Sequence, residues 1–131
     1  MFLVDTNVFL EILLKQEKRD ICKKFLDDNI GSLNITDFSF HSIGVILFRY
    51  NEEGIFHRFV QDVIPNVNLL SLPLNKYEEL IRVKNSYNLD FDDAYQYVAA
   101  EKYDVEIVSF DGDFDGTERG RVTPAEIVEA E

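Results

Sequence analysis

The chain has 131 residues, 46% of them apolar and 29% charged, with a net charge of −12. That length suits one domain spanning residues 1–131, and the composition excludes disordered and collagen-like classes. So acidic a chain offers little general attraction for nucleic-acid phosphate, and its single cysteine, Cys22, excludes an internal disulfide and fits a reducing cytoplasm.

Residues 2–4, Phe-Leu-Val, are a short apolar run ending at Asp5. They predict a buried strand, a turn over Asp5-Thr6-Asn7 and a helix over 8–14. The opening segment lacks a basic n-region and a small-residue cleavage site, so it does not read as a signal peptide. No run reaches the ~18 apolar residues of a membrane span, and the expectation is a soluble cytoplasmic protein. Ile21, Phe25 and Leu26 take the inner face of a helix over 17–29, with Lys18, Arg19, Lys23 and Lys24 solvated.

Leu33-Asn34-Ile35 is a second short strand, and Thr36 or Asp37 caps a helix over 38–51. That helix is apolar on most sides, so it needs a second layer or a partner subunit beyond the sheet. A short helix over 55–63 ends at Pro65, and 67–72 is a third strand. A helix over 75–87 should turn Tyr77, Leu80, Ile81 and Tyr87 inward. Asp90 is placed to cap a helix over 91–103. A strand over 105–110, an acidic loop over 111–118, a short strand at Val122 and a helix over 125–130 complete the chain. Short apolar strands alternating with helices imply α/β architecture, a parallel sheet with helices on both faces.

The charge is uneven. Residues 1–65 carry seven basic and ten acidic residues, and 66–131 carry six and fifteen. The excess centres on Asp90, Asp92, Asp93, Asp111, Asp113 and Asp115. In an open parallel sheet, sites lie beyond the carboxyl ends of the strands. Asp5 and Asp111 each follow a strand there, and Asp93 opens a helix that can face the same edge. Converging carboxylates repel one another unless protonated or neutralised by a cation. Oxygen donors without a nearby lysine suit Mg²⁺ or Mn²⁺, and such a site supports phosphodiester hydrolysis without a protein nucleophile. Taken singly, each acid is equally a turn residue, a helix cap or part of a solvated surface.

Other chemistries fit less well. DGDFDG at 111–116 begins like a calcium loop, but loop position twelve is Val122 rather than Glu and the preceding segment reads as strand. An aspartyl-nucleophile phosphatase resembles D-x-D at the first strand, where this chain has Asn7. Cys22 lacks a phosphate loop, and His41 and His57 show no metal spacing and read as ordinary polar or packing residues.

Together, LVDTNVFLEIL at 3–13, LDFDDAYQYVAA at 89–100, IVSFDGDF at 107–114 and VTPAEI at 122–127 resemble the PIN-domain family, especially VapC-type ribonuclease toxins. The resemblance implies a three-layer α/β/α sandwich around a mainly parallel sheet. It also implies a Mg²⁺- or Mn²⁺-dependent endoribonuclease, often a homodimer and often inhibited by a cognate antitoxin protein. By motif, Asp5, Asp93 and Asp111 match the family's acids and Asp113 a common additional one, while Thr6 and Asn7 position Asp5 or a water. The family usually places a Glu in the helix after the second strand. Ser42 stands there, beside His41, and Asp37 is the nearest acid that can substitute. That departure leaves a second reading, a catalytically weak module that binds protein or RNA. Lys15, Lys18, Arg19, Lys23, Arg119 and Arg121 are candidate RNA phosphate contacts if they rim the pocket.

Overall fold

In the computed structural model, which describes residues 1–130, Phe2–Val4 form the first strand, β1. Three more strands follow: β2 (Leu33–Thr36), β3 (Asn68–Leu70) and β4 (Glu106–Val108). All pair in parallel, in the spatial order β3-β2-β1-β4. Phe2 lies opposite Leu33 on one side and Glu106 on the other. Val122 adds an isolated parallel bridge to Val108, where a short last strand was expected.

Side chains of a strand alternate between faces, so this sheet has two cores. Leu3 and Ile107 face one, and Val4, Leu33, Ile35 and Val108 face the other. The second core is covered by the helices that connect β1 to β3: α1 (Thr6–Leu13), α2 (Arg19–Asp28), α3 (Asp37–Arg49) and α4 (Glu53–Asp62). The first core is covered by α5 (Tyr77–Tyr87) and α6 (Phe91–Tyr103), which return the chain from β3 to β4. A last helix, α7 (Pro124–Ala130), packs on α2. The result is a three-layer α/β/α sandwich with a parallel sheet. Between β1 and β4 the winding changes direction, and a ligand crevice opens at such a switch point.

Two expectations about packing change. Ile81 is 63% exposed, and Val83 is buried in its place. The inward stripe of α5 runs Leu80–Val83–Tyr87, at helical spacings of three and four, and Ile81 is rotated off it. The apolar α3 is covered on two sides, by the sheet through Ile43 and Leu47 and by α4 through Phe40, Phe56 and Phe59. Gly44 permits the close approach of α4, since a Cβ there would lie 3.3 Å from a ring carbon of Phe56. Val45 and Phe48 stay 51% and 57% exposed. Among the described residues, no helix is long and apolar enough to cross a membrane.

Candidate metal centre

Asp5 follows β1 and caps α1, and three groups donate to its carboxylate. Its Oδ1 accepts from the Thr6 amide at 2.7 Å and from Gln96 Nε2 at 2.7 Å. Its Oδ2 accepts from the Ser109 hydroxyl at 2.6 Å. Burial raises its pKa above the ordinary value, against the pull of those hydrogen bonds. Asn7 ties α1 to the end of β4, donating to Ser109 Oγ at 3.3 Å and accepting from the Phe110 amide at 3.3 Å. Ser109 Oγ in turn accepts from the Asp111 amide at 2.9 Å. The first acid and the third therefore share one hydroxyl between them.

Asp93 arrives from the opposite layer. Asp90 caps α6 by accepting the Asp93 amide at 3.0 Å, which leaves the Asp93 carboxyl free of the helix end. Asp93 is 6% exposed. Its pKa is pushed up to about 8, first by burial and then by the charges of Asp111, Asp90 and Asp5. Asp111 also stands within hydrogen-bonding reach of it. Beyond β4, Asp111 Oδ1 accepts the Asp113 amide at 2.8 Å and starts a tight turn over Gly112–Gly116. Arg121 braces that turn, donating to Asp115 at 2.9 Å and to the Ser109 carbonyl at 3.0 Å.

Three acids converge: one carboxylate oxygen each from Asp93, Asp111 and Asp113 lies within 4.8 Å of the others. Asp5 stands outside that trio but lines the same cavity of about 600 Å³ as Asp93 and Asp111. Thr6, Asn7 and Ser42 line it too. The donors are all oxygens, and no lysine lines the cavity. The mutual repulsion that raises Asp93 is what a divalent cation relieves, so the residues fit a hard dication of the Mg²⁺ or Mn²⁺ kind.

Asp37 does not substitute for the absent Glu. Its Oδ1 is held by the Phe38 amide at 2.8 Å and the Tyr95 hydroxyl at 2.7 Å, and it is not part of the cavity wall. Nor do the six proposed phosphate contacts line the cavity. Arg121 is committed to the turn, Arg119 pairs with Asp104 at 2.9 Å, and Lys18 sits 4.6 Å over the Phe110 ring. The cavity's basic residues are Arg49 and His41, both on α3. Sequence reasoning also passed over Gln96 and Ser109. A polar residue inside the buried run from Ala94 to Ala100 was a legible sign for Gln96. Ser109 carried none.

Residues 2–120 match the family described as PIN domain. Solved structures share the fold at low identity. A toxin–antitoxin complex from Klebsiella pneumoniae is 18% identical with a TM-score of 0.77, covering 95% of this chain and 98% of that one. VapC20 of Mycobacterium tuberculosis, a toxin that cleaves the sarcin-ricin loop, is 15% identical with a TM-score of 0.80, covering 95% and 100%. FitAcB from Neisseria gonorrhoeae is 16% identical with a TM-score of 0.76, covering 95% and 99%. No curated protein matches the sequence.

Proposed function

The chain belongs to the PIN-domain family, and from that premise we propose that it is a Mg²⁺- or Mn²⁺-dependent endoribonuclease, the toxin of a type II toxin–antitoxin pair acting in the cytoplasm. The observation that carries this reading is the meeting of Asp93, Asp111 and Asp113 within 4.8 Å, at the crevice that Asp5, Asp93 and Asp111 line. Such a site needs a hydrolysable substrate that binds through anionic oxygens, and a phosphodiester is one.

Asp93, Asp111 and Asp113 would hold the ion, with Asp5 beside them. When bound, the ion supplies Lewis-acid stabilisation of phosphate oxygens and lowers the pKa of a water. The chain's own residues do the rest. Asp5, fixed by three donors, would hold and orient a water for attack. Ser109 locks Asp5 and the Asp111 backbone into one frame. Arg49 supplies the positive charge that an otherwise acidic cavity needs for a flanking phosphate, with His41 beside it as a hydrogen-bonding group. Leu10, Phe38, Val45 and Ile46 line the apolar side, against which an unstacked base can rest.

The partners follow from charge and exposure. A basic antitoxin segment complements a chain of net charge −12. Exposed Val45 and Phe48 on α3 offer an apolar face to a second copy, making a homodimer.

The test is incubation of the purified protein with mixed RNA, with and without Mn²⁺, beside an Asp93→Asn control. Cleavage that needs Mn²⁺ and vanishes in Asp93→Asn is the expected result. Full activity of that variant, or activity in excess EDTA, refutes the mechanism. Ser42 in the Glu position favours a second reading, a weakly catalytic binding module. Retention of RNA with no cleavage at millimolar Mn²⁺ selects it.

A further inference from the structure

Gln96 lies one turn after Asp93 on α6, so both present to the same side of the helix. It is 3% exposed and forms part of the cavity wall. Its amide nitrogen donates to Asp5 Oδ1 at 2.7 Å, which fixes the orientation of the side chain, because the reversed amide would set two acceptors against each other. The other end of the amide, Oε1, is buried without a hydrogen-bond partner, the one such side-chain atom among the described residues. Buried carbonyl oxygens are nearly always paired, and an exception in a polar site calls for a water or an ion. On α3, Ser42 brings a hydroxyl and no carboxylate to the cavity wall.

We propose that Gln96 is a positioning residue of the metal centre, clamping Asp5 with its amide N–H while its carbonyl oxygen accepts from the water that enters with the cation. This rests on the nuclease reading. Gln96 thereby supplies, from α6, a neutral oxygen to a centre that lacks an acid on α3.

Titration calorimetry with MnCl₂ tests it on the intact chain, for the natural sequence, Gln96→Leu and Gln96→Glu. Gln96→Leu should bind Mn²⁺ 10–100-fold more weakly, the usual loss when a group that orients a ligand is removed. Gln96→Glu keeps the size but replaces the clamping N–H with an oxygen set against Asp5 Oδ1, and should also bind Mn²⁺ at least about tenfold more weakly. It also serves if the leucine variant does not fold. In the natural protein, the Gln96 side-chain amide resonances should shift on titration with Mg²⁺. A role confined to packing would lower the melting temperature of Gln96→Leu and leave both Mn²⁺ affinities unchanged, which overturns the proposal and spares the nuclease reading. No Mn²⁺ binding by the natural sequence overturns both.

Discussion

Asp93 carries a heavy electrostatic burden in the site, and its effect on stability has a definite sign. Its folded pKa is about 8 against an ordinary 3.8. Below the ordinary value both folded and unfolded chains hold the proton, and there is no penalty. Between the two values the unfolded chain releases the proton and the folded chain keeps it, so stability falls as pH rises. In EDTA, the melting temperature should therefore fall from about pH 5 to pH 8. Added Mn²⁺ should restore it most at pH 8, because cation binding displaces the proton. A melting temperature independent of both pH and Mn²⁺ contradicts this. Asp93→Asn should be more stable than the natural chain at pH 8 in EDTA and should lose the Mn²⁺ response, which scanning calorimetry reads directly. At this scale the sequence was legible where a residue ends a strand or opens a helix. Asp5, Asp93 and Asp111 each sit at such a boundary. The partners of Asp5 were not legible, because Gln96 is 91 residues away and Ser109 is 104.

Among the elements, α6 ties the layers together. Tyr95 accepts the Leu72 amide at 3.0 Å and donates to Asp37 at 2.7 Å, so one hydroxyl links the end of β3 to the start of α3. Tyr95→Phe should cost about 1–3 kcal/mol, since it strands the buried Leu72 amide. Tyr103→Phe removes an exposed bond to the Ser71 carbonyl and should change stability by less than about 0.5 kcal/mol. Urea unfolding compares the two, and equal losses contradict the link. The order of strands and helices was readable because short apolar runs alternate with helical stretches. The strands came out shorter than expected at 67–72 and 105–110, since only Asn68–Leu70 and Glu106–Val108 form ladder pairs. Ile81 misled because periodicity alone allows more than one apolar stripe on α5, and the sheet beneath decides between them.

Across the whole molecule, a parallel sheet whose winding reverses beside β1 gathers acids from both helical layers at one edge. Sequence carried the acidic excess but not its geometry. It did not show Asp113 joining Asp93 and Asp111 while Asp5 stays just outside, because that depends on the turn that Arg121 and Asp115 brace. The homodimer proposed through the exposed Val45 and Phe48 belongs to the same scale. Phe48→Asp should convert a homodimer to a monomer by light scattering, and an unchanged mass contradicts a dimer through α3. The most direct measurement is anomalous diffraction from crystals soaked in MnCl₂. A peak at about 2.1 Å from carboxylate oxygens of Asp93 and Asp111, the bond length of a small octahedral cation, is the expected result. Well-ordered carboxylates with no peak between them, at saturating Mn²⁺, contradict a metal centre here.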